Sequence, residues 1–240
     1  MRKIFLVVFL GIVVSFSGCG SNHPSNIIVD PEFNSNNVSR ILVTPVISSI
    51  SDNVDRDRMS ERMTQKMLWK RLARISDYNF FSPQRFSFAL RKVKKPVQFD
   101  EIEKGWIENK KIDAELLKSI NDYVDADLFL IPEVYLWNKD EADYRESSAA
   151  SLTEVGISLY LVDPDSGKII WEATDQNYME AMRTEGERVL VRGKGGFDRR
   201  IKGISATGRN VYGAPPFEDV LVKVLGALVD AFPSRSIVGK

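Results

Sequence analysis

Along 155–161 every second position is apolar: Val155, Ile157, Leu159 and Leu161. The alternation returns in 169–173 with Ile169, Trp171 and Ala173. Successive side chains of a strand point to opposite faces, so each set lines one face. Between them, DPDSGK offers Pro164 where a turn wants a negative φ and Gly167 where it needs a positive one. This stretch predicts a β-hairpin. Asp163 and Asp165 fall in the turn and are read as turn-forming residues, because a Ca²⁺ loop needs more ligands and a closing Glu. A different pattern runs through DADLFLIPEVYLW, residues 125–137, where Leu128 to Ile131 are apolar without alternation. Such continuity predicts a strand covered on both faces. Pro132 has no N–H to give to a ladder, which predicts a bulge or local break there.

The period becomes helical near the end of the chain. Phe217, Val220, Leu221, Val224, Leu225, Leu228, Val229 and Phe232 repeat at three- and four-residue steps, with Pro216 before them and Pro233 after. Residues 55–76 carry Met59, Met63, Met67, Leu68, Leu72 and Ile75 at helical spacing, an amphipathic stripe expected to pack in a core. Residues 83–92 open with Pro83, as helices often do. Residues 113–124 read as a helix capped by Asp113, 40–46 and 78–82 as short strands, and 94–110 as irregular chain. Together these segments predict a single α/β domain over 40–233. It has a mixed β-sheet flanked by helices, with the hairpin in its C-terminal half, and residues 234–240 form a tail.

The first residues belong to no domain. Arg2 and Lys3 precede an apolar run from Ile4 to Phe16 that ends in Ser17-Gly18-Cys19. A basic end, a short apolar stretch and small residues before a cut site predict an export signal peptide over 1–18. The run is shorter than the roughly 20 residues a membrane span needs. Residues 19–39, rich in Asn, Ser and Pro, read as a flexible tether. His23 lies there and is read as a solvated linker residue, since a mobile tether does not preorganise a site.

Composition narrows the chemistry. The chain has 240 residues, 43% hydrophobic and 28% charged, enough for a substantial core. Its formal net charge is zero, so nothing global predicts nucleic acid as a partner. The one His and one Cys matter more, because catalytic triads and most zinc sites are built from these types. The expectation is a protein that is not an enzyme, with no catalytic residue, no metal site and no cofactor. A weaker reading is a carboxylate hydrolase in which Glu133, Glu154 and Asp175 align on strands as acid/base pairs. Residues 186–214 change character: seven basic residues face Glu187 and Asp198, and Gly recurs throughout. GKGG there is not a phosphate loop, since Gly195 follows the Lys where that motif needs Ser or Thr. Two readings stand for this segment: a basic arm that contacts an anionic polymer, lipid headgroups or an acidic protein, with Arg192, Lys194, Arg199 and Arg200 as the candidate contacts, or a merely solvated loop.

Phe16-Ser17-Gly18-Cys19 resembles the lipobox of bacterial lipoproteins. That resemblance implies cleavage before Cys19 and acylation of its thiol, an anchor in the membrane. Because no Asp follows the Cys, it also implies sorting to the periplasmic side of the outer membrane. The order of features beyond it resembles the lipoprotein domains related to the curli-secretion lipoprotein (CsgG-like) and to the lipoprotein activators of penicillin-binding proteins (LpoB-like). Asp125, Ala126 and Asp127 before the apolar strand match, as do Asp163, Gly167, Lys168 and Trp171 around the hairpin. The resemblance implies a mixed sheet with helices on its faces. It also implies an accessory module that binds an envelope protein or polymer. The alternative it implies is a homo-oligomeric subunit of an outer-membrane secretion channel. Against that alternative, no pair of long alternating segments suits membrane hairpins, and an Arg or Lys facing lipid at the midplane costs about 2–4 kcal/mol.

Overall fold

The computed structural model describes residues 23–93, 97–141, 151–181, 190–192, 198–200 and 213–235, with backbone alone for 190–192 and 198–200. The signal peptide, Cys19 and Lys194 lie outside the described residues.

Among the described residues fifteen elements follow one another, one of them a short 3-10 turn at Ser35–Asn37. The strands are β1 (Asn26–Val29), β2 (Arg40–Val43), β3 (Ile47–Ser48), β4 (Asn79–Phe81), β5 (Leu128–Asp140), β6 (Leu152–Val162), β7 (Ile169–Glu180), β8 (Leu190–Arg192) and β9 (Asp198–Arg200). The helices are α1 (Met59–Leu72), α2 (Pro83–Leu90), α3 (Phe99–Asn109), α4 (Ala114–Val124) and α5 (Phe217–Asp230). Seven strands form one mixed sheet in the order β1-β7-β6-β5-β2-β4, with β3 continuing the row of β2 beside β5. β2, β3 and β4 are parallel to their neighbours, while β5, β6, β7 and β1 form an antiparallel meander.

Helices cover both faces. On one, Leu68 and Leu72 of α1 and Val220, Leu221, Val224, Leu225 and Leu228 of α5 meet Leu130, Val134, Ile157, Leu159, Trp171 and Ala173. On the other, Phe86, Ile102, Trp106, Leu117 and Ile120 from α2, α3 and α4 meet Phe129, Ile131, Tyr160 and Val162. The predicted mixed α/β domain with a C-terminal-half hairpin is therefore the observed one. Val155, Ile157, Leu159 and Leu161 share the α5 face as the alternation required. Gly167 turns the hairpin at φ +67 and donates its N–H to the Asp163 carbonyl at 2.8 Å. The Asp163 carboxylate accepts from the N–H groups of Asp165 and Ser166, so these acids do close the turn.

Four details differ from the sequence pattern. Residues 94–110 are not irregular: α3 occupies most of that stretch. Its buried residues, Ile102, Glu103 and Trp106, are too few and too mixed in polarity to give a clean period. Asp100 and Glu101 in its first turn favour the helix by facing its positive end. On α1 the innermost line is Ser60, Thr64, Leu68 and Leu72, while Met63 and Met67 flank it half-buried and Met59 is exposed. Pro132 does not itself distort β5. The carbonyls of Leu130 and Val134 accept from Thr44 and Ser49, so the even residues of β5 point their backbone groups toward β2 and β3. Pro132 thus faces the gap between those two strands, where neither has a residue paired with it. The register shift falls instead between Val134 and Leu136. There the Tyr135 ring lies over Gly156, where a Cβ would come within 2.7 Å of it. Finally, part of the segment read as a tether over 19–39 is a strand. β1 adds to the edge of β7 from Asn26, because Ile27, Ile28 and Val29 are strong strand formers.

The residues behind the family resemblance are fold devices. The Asp127 carboxylate accepts from the N–H groups of Ser39 and Arg40 at 2.8 and 2.9 Å. The Arg40 guanidinium pairs with both Asp125 and Asp127. Burial pushes the Asp127 carboxyl up, but the donors of Arg40 and Ser39 outweigh it and hold the group below its ordinary value. Asp125, in the left-handed region at φ 58, ends α4 by donating its N–H to the Asn121 carbonyl at 2.8 Å. This corner fastens the start of β5 to the start of β2.

Candidate functional site

The three strand carboxylates are not brought together. Glu133 lies opposite Ser158 on the α3 face of the sheet, and Asp175 lies opposite Ile157 on the α5 face. Asp175 accepts from the Ser25 N–H at 3.1 Å and its hydroxyl at 2.8 Å. Burial pushes its carboxyl above the ordinary value, with the Ser25 bonds opposing. Glu154, further along β6, accepts from the Asn138 side chain at 3.1 Å. Geometry does not make an acid/base pair of any two of them.

Glu133 has the most elaborate surroundings. It is 2% exposed, and Lys110 Nζ reaches its two oxygens at 2.5 and 2.7 Å. Trp106 Nε1 donates at 3.1 Å and the Ser49 hydroxyl at 2.5 Å. Lys110 is delivered by the end of α3, where it adopts the left-handed conformation at φ 52 and donates its N–H to the Trp106 carbonyl. The Trp106 indole stands edge-on to the Tyr160 ring at 5.0 Å, and burial pushes the Tyr160 phenol up. Burying a carboxylate is costly unless it is hydrogen-bonded and paired, and Glu133 is both.

One turn back along α3, Glu103 accepts from the Ser48 N–H at 3.1 Å and from Arg58 Nη2 at 2.6 Å. Arg58 Nε donates to Glu61 at 2.5 Å. Burial pushes the Glu61 carboxyl up against the opposing pull of Arg58. Arg58 holds φ 48, a conformation that costs on the order of 1 kcal/mol or more outside Gly and that the two ion pairs offset. Asp55 accepts from the N–H groups of Met59 and Ser60 at 2.8 and 2.9 Å and so starts α1. These residues, with Asp52 and Lys104, line a cavity of about 420 Å³ beyond the C-terminal end of β3. Its acids are largely spent: Asp55 on the helix backbone, Glu61 and Glu103 on Arg58. Among the described residues no group of three His, Cys, Asp or Glu side chains could hold a metal ion. The arrangement works as a clamp joining α1 and α3 to β3 and β5. Sequence reading singled out Glu133 alone from it, because its other members come from three distant segments.

Of the sequence-derived contact residues, Arg192, Arg199 and Arg200 fall on described backbone and Lys194 lies outside the described residues. β8 and β9 pair antiparallel, with Arg192 opposite Asp198, and β9 also carries Arg199 and Arg200. The roots of the segment holding them are fixed at one end of the meander. Ala181 donates to the Ser151 carbonyl at 2.8 Å, and Ala214 donates to Glu141 at 3.0 Å. β1 and β7 are antiparallel, so the start of β1 lies toward this same end.

β1 itself went unread in the sequence, although three consecutive β-branched residues before Asp30-Pro31 were the signal for it. Among the described residues it forms one edge of the sheet, with β4 at the other, and its apolar side chains are exposed: Ile27 by 45%, Ile28 by 54% and Val29 by 49%. Asp30 donates its N–H to the Ile170 carbonyl at 2.9 Å and pairs with Lys168, which holds the Asp30 carboxyl below its ordinary value.

No protein-family model matches the chain. No curated protein matches it either. Among solved structures it is similar to the lipoprotein GNA1162 from Neisseria meningitidis, at 15% identity and a TM-score of 0.37, covering 62% of this chain and 88% of that one. It is also similar to the PelC dodecamer from Paraburkholderia phytofirmans, at 12% identity and a TM-score of 0.34, covering 65% and 80%. A third similarity is to the LpoB C-terminal domain from Salmonella enterica, at 14% identity and a TM-score of 0.33, covering 62% and 87%. Likeness this remote assigns the chain to no family.

Proposed function

We propose that the chain is a lipid-anchored accessory module on the periplasmic face of the outer membrane, and that it helps assemble or regulate an envelope machine by binding an envelope protein or polymer. The observation that carries this reading is the leader ending in Ser17-Gly18-Cys19, followed only six residues later by Ser25, which is fixed to Asp175. Six residues span at most about 20 Å. A lipid on Cys19 would hold the edge of the sheet close to the bilayer, so the module works against the membrane rather than at long reach. The roots of the basic segment lie at the end of the sheet toward which β1 begins, which favours Arg192, Lys194, Arg199 and Arg200 as contacts to an acidic partner at that membrane. Such confinement raises the effective concentration of nearby partners without any new contact. The reading assigns the protein no catalytic step, and no observation in this structure favours a secretion-channel ring.

Fractionation of cells tests the anchor. The chain is expected in the outer-membrane fraction, and Cys19→Ser is expected to release it to the inner membrane or soluble pool. Unchanged fractionation of Cys19→Ser overturns the anchor. Crosslinked capture from intact cells tests the contacts: deleting 188–209 is expected to reduce the captured partner severalfold while the domain stays folded. Undiminished capture removes those residues from the reading.

A further inference from the structure

We propose that β1 pairs with β1 of a second copy of this chain, joining two sheets edge to edge across a two-fold axis at Ile28. Open strand edges are normally blunted by Lys, Pro or a bulge within the strand. Asn26–Val29 contains none of these, and all four of its residues are exposed. The Asp30 N–H points at β7, and backbone groups alternate along a strand. Ile27 and Val29 therefore turn their N–H and C=O groups outward, symmetrically about Ile28.

That symmetry selects one register. Ile27 lies opposite Val29 of the second copy, exchanging both backbone hydrogen bonds, and the two-fold axis repeats the exchange at Val29. Ile28 meets Ile28 of the second copy as a pair without backbone bonds, where side chains approach most closely. Residues placed opposite each other share a face, as the pleat demands. Ile27 and Val29 stand on the face of Trp171 and Ala173, and Ile28 stands on the face of Glu172. Asn26 falls opposite Asp30 of the second copy, so a carboxamide donor meets a carboxylate at each end of the apolar centre. A four-residue edge is small beside the roughly 1,200–2,000 Å² of a stable interface, so the pair needs confinement to form. The short chain between Cys19 and Ser25 supplies it, and in this one respect the inference rests on the anchoring reading.

Disulfide trapping in cells, with the full-length chain, tests the pairing and its register. Ile28→Cys is expected to give a covalent dimer on mild oxidation. Ile27→Cys and Val29→Cys are each expected to give none alone, since like positions are then two residues out of register and beyond disulfide reach. Co-expressed, they are expected to give the dimer. The parent chain, whose sole Cys is Cys19, is expected to give none. Ile28→Lys is expected to halve the native mass in mild detergent with the circular dichroism unchanged. Equal trapping at all three positions, trapping of Ile28→Cys to a different protein, or no trapping of a folded, membrane-bound chain overturns the proposal. A chain that fractionates as soluble yet still traps at Ile28 overturns the anchoring and leaves the pairing standing.

Discussion

Strand β5 is buried on both faces along Leu128–Val134, whereas β7, two strands away, is buried on one. In β7, Trp171, Ala173 and Asp175 lie under α5, while Glu172, Thr174, Gln176 and Tyr178 face out between partial and full exposure. The difference shows how one sheet serves two purposes. Where parallel strands bring helices to both faces, the sequence must be apolar at every position, and the few polar groups admitted there need dedicated partners. Where the antiparallel meander leaves a face open, the alternation returns and substitution becomes cheap.

Four single variants and one double variant sharpen this contrast, beginning with the largest effect. Phe129 is fully buried in β5 against Phe86, and Phe129→Ala is expected to cost about 3–5 kcal/mol in denaturant unfolding. Next is the clamp at Glu133. Lys110→Met removes the cation from a carboxylate that is 2% exposed. Breaking a buried pair costs about 3–5 kcal/mol, but Lys110 is 43% exposed and water screens it, so about 2 kcal/mol is expected. Adding Glu133→Gln is expected to recover part of the loss; a double variant no better than Lys110→Met would show that the charge is not what matters.

Asp127 gives a smaller, pH-dependent effect. Its folded value lies below the ordinary 3.8, so the folded state favours the charged form. The stability it supplies is present above the unfolded value and is lost as pH falls through the lower folded one. Asp127→Asn is therefore expected to cost about 1–2 kcal/mol at neutral pH and to converge with the parent in acid. A cost that stays constant down to pH 2 would contradict the assignment. The smallest effect is expected on the open face: Gln176→Thr, at an exposed position, should change stability by no more than about 0.5 kcal/mol. A loss near that of Phe129→Ala would erase the distinction between the two strands.

The sequence disclosed these regions unequally, for physical reasons. The hairpin and α5 each carry one clean period and β5 an unbroken apolar run, so local pattern and tertiary environment agree. α3 hid because its buried face includes Glu103, which the core accepts only with Arg58 and Ser48 as partners from distant segments. β1 hid because an edge strand needs no alternation, and its polar surroundings resemble a linker. Glu133 could be suspected as a carboxylate on a strand. Its donors Ser49, Trp106 and Lys110 could not, since only the folded sheet assembles them. The basic segment stood out by its composition and Cys19 by the leader that precedes it, and the fold adds only where the chain beside each of them is fixed.

Intact mass spectrometry of the protein extracted from membranes tests the anchoring most directly. The expected polypeptide begins at Cys19 and carries the added mass of several acyl chains, all lost together with membrane retention in Cys19→Ser. A polypeptide that still begins at Met1, with the Cys19 thiol free, would contradict it.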